Sequence, residues 1–303
     1  MTAVTSFMQA PLLDDAGDSL AVILGLPYDC GSDPLRIGAR SGPDSIRQQS
    51  HLISPFDGAS NINPITDLKV RDLGNSPVTL NDIEQTYHQI ETAMTQAIKH
   101  NAVPITLGGD GAVALPQMRA LSKKYPDLVA LHFDAHTDAY PLDEYSNATP
   151  FSHAVHEQLI CPHKSFHIGR RGSHFVPGVV DYCRELGYNL IDSDALFERG
   201  FDAVMREVKM TIADRPVYLC FDMDFFDPSA APGVCSPTFG GATSREGLAL
   251  LRLCSGLNIV GADVNTISPA HDSLGMSAQL AATVVYEIML MLAKNRKANS
   301  ENL

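Results

Sequence analysis

Short apolar runs recur along the chain, and most are closed by glycine, proline or an acid. Residues 19–27 (SLAVILGLP), 103–107 (VPITL), 128–133 (LVALHF), 217–223 (VYLCFDM) and 257–264 (LNIVGADV) read as buried strands, and 165–168 as a shorter one. Between them lie segments of helical spacing, over 81–101, 114–124, 179–186, 201–214, 244–255 and a long apolar closing stretch at 280–294. Residues 38–50 (GARSGPDSIRQQS) predict a turn leading into a helix, with Pro43 at an early helical position. Strands alternating with helices predict an α/β fold with a mostly parallel sheet and helices on both faces. No repeat or linker interrupts the pattern. The reading is a loose N-terminal arm over residues 1–18 and a single domain over 19–303.

Composition narrows the partners. The 303 residues carry 22 basic and 35 acidic side chains, a net charge of −13. Such a chain has no electrostatic footprint for nucleic acid and no attraction to anionic lipid. No stretch approaches the roughly 18 consecutive apolar residues of a membrane span, and the N-terminus lacks the basic and apolar regions of a secretory signal. The six cysteines (30, 161, 183, 220, 235 and 254) form no CxxC pair, which points to reduced thiols and a cytoplasmic location.

The chemistry gathers where strands end. The clusters are Gly108-Gly109-Asp110-Gly111, then Asp134-Ala135-His136-Thr137-Asp138, then Asp222-Met223-Asp224. Ligands of open parallel sheets bind outside the carboxyl ends of the strands, so these clusters are expected on one edge. Alternate residues of an extended segment point the same way, roughly 6–7 Å apart. Asp134, His136 and Asp138 therefore face one side, and so do Asp222 and Asp224. Four carboxylates crowded into a buried edge repel one another, and divalent cations relieve that repulsion. Carboxylates with one or two imidazoles suit Mn²⁺, Ni²⁺ or Fe²⁺.

The motifs FDAHTD and FDMDFFDPSAAPG resemble those of the ureohydrolases, the family of arginase, agmatinase, guanidinobutyrase and formimidoylglutamase. The likeness extends to GLPYDCGSDPLRIGARSGPDSIR, FHIGRRG and the Gly240-Gly241 turn, and it is nearest to the agmatinase branch. It implies a three-layer α/β/α sandwich, a binuclear centre, usually of manganese, and hydrolysis of a guanidino C–N bond by metal-bound hydroxide; with the ligand chemistry, the expected cofactor is Mn²⁺ or Ni²⁺. Position by position, Asp134 and Asp222 would bridge two metals, His136 and Asp224 would complete one site, and Asp138 would serve the other and orient the hydroxide. The proton-shuttling histidine matches His153 in PFSHAVHE, with His156 its rival.

Two positions depart from the family pattern. GGDH reads GGDG, so Gly111 stands where a metal-binding histidine is expected, and the metal site lacking it is weakened, leaving one or two ions bound. His132, one pleat repeat before Asp134, is not an obvious replacement. The segment DVNTISP puts Asn265 and Thr266 at the substrate, with Thr266 in place of a glutamate that pairs with the guanidinium. A threonine offers one neutral acceptor, and losing a bidentate carboxylate costs about 2–4 kcal/mol of binding. The expected function is hydrolysis of a guanidino compound, of the agmatine, guanidinobutyrate, substituted guanidine or biguanide class. The alternative is an impaired subunit that supports an active paralogue, as in a two-subunit biguanide hydrolase. The family implies a homo- or hetero-oligomer of trimer or hexamer type. In the loops, Asp143, Glu144 and Tyr145 could meet a cationic tail, and Arg170 and Arg171 a carboxylated one.

Overall fold

A computed structural model of the chain describes residues 6–30 and 35–301. Residues 1–5 of the arm and 31–34 of the GLPYDCGSDPLRIG segment lie outside the described residues. Eight strands form one sheet: β1 (Ala21–Gly25), β2 (Arg71–Asn75), β3 (Val103–Leu107), β4 (Val129–Phe133), β5 (Phe166–Arg170), β6 (Asn189–Asp192), β7 (Val217–Asp222) and β8 (Ile259–Asn265). Their order is β2-β1-β3-β8-β7-β4-β5-β6, and every pairing is parallel. Among the described residues ten α-helices accompany them: α1 (Gly42–Ser50), α2 (Pro64–Asp67), α3 (Ile83–Ala97), α4 (Ala114–Ser122), α5 (Pro150–His156), α6 (Val179–Glu185), α7 (Ser193–Arg199), α8 (Phe201–Ile212), α9 (Ser244–Arg252) and α10 (Met276–Glu301).

Strand alternation divides the core in two. Leu131 and Phe133 of β4 pack with α8, α9 and α10, whereas Ala130 packs with α3, α4 and α5 on the opposite face. The result is the expected three-layer α/β/α sandwich. Helix α10 is long and apolar enough to cross a membrane. Its Ala281, Val284, Val285, Ile288 and Met289 are instead buried in the core. It is the central helix of one layer.

The arm differs from expectation. Phe7 is fully buried, its amide donates to Asp72 Oδ2 at 2.8 Å, and Leu12 bridges Asp72 in parallel along the edge of β2. A buried ion pair explains the docking. Arg47 Nε and Nη2 each lie 2.9 Å from an Asp72 oxygen, and both side chains have no exposure. Asp72 thus joins α1, β2 and the arm. Asp72→Ala leaves a buried guanidinium with only the exposed Asp44 carboxylate at 3.5 Å and is expected to cost about 3–5 kcal/mol in a urea unfolding series. A loss under about 1 kcal/mol would show that the pair is not a structural tie.

Candidate metal centre

Strands β3, β8, β7 and β4 are neighbours in the sheet, so their carboxyl ends form one continuous edge. The GGDG turn follows β3, Thr266 follows β8, Asp222 ends β7, and DAHTD follows β4. Two three-residue clusters arise there. Asp134, His136 and Asp224 offer ligand atoms within 4.8 Å of one another, and so do His132, Asp134 and Asp138. Asp134 belongs to both.

The backbone is bent to make this possible. Asp138 has φ of +47° and Thr266 of +67°, a left-handed region that side-chain-bearing residues seldom occupy. Gly109 answers a different demand, because a Cβ there would lie 1.7 Å from the Tyr28 carbonyl oxygen. At Gly111 a Cβ would point at the centre, 2.8 Å from Asp138 Oδ2 and 3.1 Å from the Asn147 carbonyl oxygen.

Hydrogen bonds hold the acids in place. Asp224 Oδ1 accepts from the Ala135 amide at 3.0 Å, and its Oδ2 lies 3.1 Å from His136 Nδ1. Asp222 Oδ1 accepts from the Asp224 amide at 2.7 Å and from the Thr266 hydroxyl at 2.6 Å. His132 Nε2 lies 2.9 Å from Asp134 Oδ2, while its Nδ1 meets His167 Nδ1 at 2.8 Å. Burial and the neighbouring His132 hold His167 well below the usual imidazole range.

The electrostatics show a shortage of positive charge. Burial pushes Asp138 and Asp222 well above the carboxylate range, and their acidic neighbours push the same way. Asp224 is raised for the same reasons. Asp134 alone is held low: burial opposes its ionisation, but the adjoining His132 and His136 outweigh it. His136 rises well above its ordinary range because Asp224 and Asp134 outweigh the effect of burial. Asp134 Oδ2 is a buried oxygen with no aligned hydrogen-bond donor. Spare acceptor capacity amid protonation-prone acids fits a divalent cation.

Above the centre opens a cavity of about 600 Å³ whose wall includes His136, Asp138, Tyr140, Asn147, His174 and Phe175. Three residues expected at the substrate are not part of it. Thr266 turns its hydroxyl onto Asp222 instead, because its left-handed backbone breaks the strand alternation. Asn265 is buried, with Nδ2 donating to Asp263 Oδ2 at 2.9 Å. His153 lies on α5, its ring against Tyr145 at 4.7 Å and its Nε2 buried without a partner. His156 meets the Tyr182 hydroxyl at 3.2 Å and is not on the wall either. The imidazole that sequence reasoning missed is His174, in the RRGSHFV loop. Its position on the wall depends on a loop path that spacing does not reveal.

Asp263 gives a pH-dependent readout beside the centre. Burial pushes its carboxyl up to about 6 from 3.8, although Thr106 and Asn265 donate hydrogen bonds to it. A raised folded-state pKa means stability that is full below the ordinary value and lost as pH rises through 6. Relative to Asp263→Asn, the native chain is expected to lose stability from pH 4 to 7, by up to about 3 kcal/mol. Paired thermal melts across that window test it. A constant difference would mean that the carboxyl titrates normally.

The chain belongs to the arginase family, whose family model matches residues 19–291. Within it the sequence is 35% identical over 296 residues to the guanidinopropionase of Pseudomonas aeruginosa, covering 96% of this chain and 92% of that one. It is 32% identical over 292 residues to the mitochondrial agmatinase of Gallus gallus, covering 95% and 86% respectively. The solved proclavaminate amidino hydrolase of Streptomyces clavuligerus superposes with a TM-score of 0.92 at 32% identity, over 97% of this chain and 98% of that one. The agmatinase-like ureohydrolase resemblance carried by the motifs is borne out.

Proposed function

We propose that this chain hydrolyses a C–N bond of a guanidino compound at a centre built from Asp134, His136, Asp138, Asp222 and Asp224. The carrying observation is the pair of ligand clusters sharing Asp134 at the carboxyl edge of the sheet. Mn²⁺ or Ni²⁺ held there would act as a Lewis acid and acidify water. Asp134, His136, Asp224, Asp222 and Asp138 would hold the ions, with His132 close by. Asp138 lies on the cavity wall, where it can accept a proton from the attacking water. His136 fixes Asp134 and Asp224 from the cavity side. Thr266 is a positioning residue, since it holds Asp222 and not the substrate.

The test is turnover by the purified chain loaded with Mn²⁺ or Ni²⁺. The substrates are agmatine, guanidinobutyrate, guanidine, dimethylguanidine and a biguanide, with released urea or amine measured. Turnover abolished by Asp224→Asn is the expected result.

A second reading is favoured by Gly111, which offers no side chain to the centre although its Cβ direction points there. In that reading the chain is a weakly active subunit of a hetero-oligomer with a ureohydrolase paralogue. Metal bound without turnover on any substrate would select it. Four of the six cysteines are buried, which accords with reduced thiols and a cytoplasmic location.

A further inference from the structure

The cavity above the centre combines an open aromatic face with acidic side chains. Tyr140 and Phe175 stack with ring centroids 4.8 Å apart and planes at 18°. Phe175 is 73% exposed, so its ring is covered on one side only. Asp138 and Glu144 add carboxylates to the same wall. Among the described residues, that wall holds no lysine or arginine.

The two arginines that could have met an anionic tail are already engaged, Arg170 by His174 at the edge of the wall and Arg171 away from it. Arg170 donates from Nε to His174 Nε2 at 3.1 Å and from Nη2 to the Gly172 carbonyl at 3.2 Å. Arg171 spends its guanidinium on the carbonyls of Asp224, Phe226 and Thr238. The wall imidazoles do not replace them. Burial and the neighbouring Arg170 lower His174, which stays neutral between Arg170 and the Tyr140 hydroxyl. His136 is held between Asp134 and Asp224.

We infer that this cavity takes guanidinium compounds whose substituents are apolar alkyl groups and rejects those that end in a carboxylate. The inference rests on the guanidino reading proposed above and names its substrate class. A delocalised cation with methyl groups matches an aromatic face flanked by carboxylates, through cation–π attraction and apolar contact. A carboxylate tail would enter a space of like charge whose nearest cation, Arg170, is already engaged by His174 and the Gly172 carbonyl, and would lose hydration there. Specificity here departs from sequence likeness, since the 35% identical guanidinopropionase is named for a carboxylated substrate.

The experiment is calorimetric titration of the full chain loaded with Mn²⁺. The probes are 1,1-dimethylguanidinium, unsubstituted guanidinium, 3-guanidinopropionate and 4-guanidinobutyrate. Dimethylguanidinium is expected to bind about 10-fold or more tighter than either acid. Phe175→Ala, at an exposed position where folding is not at stake, is expected to weaken dimethylguanidinium about 5-fold, in line with the loss of a cation–π contact, and guanidinium itself less than about 2-fold. An acid binding as tightly as dimethylguanidinium, or a Phe175→Ala effect equal for both cations, overturns the inference while leaving the guanidino reading in place. No binding by any probe, with Mn²⁺ still bound, overturns the guanidino reading itself and this inference with it.

Discussion

Metal-stripped protein titrated with Mn²⁺ is expected to gain about 10 °C in its unfolding midpoint, and Asp134→Asn is expected to lose nearly all of that gain. The size follows from linkage. A cation that binds only the folded chain contributes about 4 kcal/mol at 1,000 times its dissociation constant. In a domain of this size each kcal/mol moves the midpoint by roughly 2–4 °C. Asp134 is singled out because it is the one residue common to both ligand clusters. It is also the one acid of the four that its neighbours hold ionised. An asparagine keeps the shape and one oxygen but not the charge. A melt in which Asp134→Asn responds to Mn²⁺ as fully as the native chain would sink the assignment. Because the readout is a melting point, it needs no substrate and separates metal binding from turnover.

The same residues show how far the sequence alone could lead. Strands β1, β3, β4, β7 and β8 were legible because continuous apolar runs such as VPITL and LVALHF have few other uses. The edge strands β2 (RDLGN) and β6 (NLID) were not, since a half-buried edge leaves little hydrophobic signal. The docked arm was hidden for a related reason: its anchor is a buried ion pair between Arg47 and Asp72, residues that sequence reading assigns to the surface. At the centre, alternation along an extended strand located Asp134, His136, Asp138, Asp222 and Asp224 on one edge. The substrate positions expected from family resemblance fall elsewhere. Thr266 at φ +67° swings its hydroxyl to Asp222, and Asn265 turns inward to Asp263. His153 matches the family motif, but the helix that carries it turns its ring toward Tyr145. The cavity wall draws on two separate loops, around Tyr140 and around His174, and their meeting is a tertiary fact.

Gly111→His is expected to produce the largest gain. The substitution should raise Mn²⁺ stoichiometry toward two per chain and tighten the weaker ion by about 10–100-fold or more, the range that even an outer hydrogen-bond partner commands. Geometry gives the reason and a cost. The new Cβ would stand 2.8 Å from Asp138 Oδ2, so the imidazole enters beside a proposed ligand. The Asp138 carboxylate can rotate away, but the Asn147 carbonyl at 3.1 Å is backbone. Stripped Gly111→His should therefore be less stable than the stripped native chain, by about 1–3 kcal/mol from overpacking. With metal the order should reverse. Elemental analysis and calorimetry give the stoichiometry, and melts with and without Mn²⁺ give the crossover. Unchanged stoichiometry would mean that position 111 does not supply a ligand, and would direct attention to His132, which already adjoins Asp134 and Asp138.

Strand order has a consequence for biogenesis. The glycine turn follows β3 at residues 103–107, and the acids follow β4 and β7, yet β8, residues 259–265, lies between β3 and β7. The ribosome delivers β8 after every other strand. Until then the nascent chain can hold only two partial sheets, β2-β1-β3 and β7-β4-β5-β6, each with an unpaired edge where β8 belongs. Such edges invite association between unfinished chains. Threading the last strand closes both at once and brings the turn and the acids together. All five proposed ligands sit at the ends of β4 and β7, inside one of those partial sheets, so what the last strand adds to the centre is Thr266, whose hydroxyl holds Asp222; a polypeptide halted before β8 would be an aggregation hazard with that hold missing.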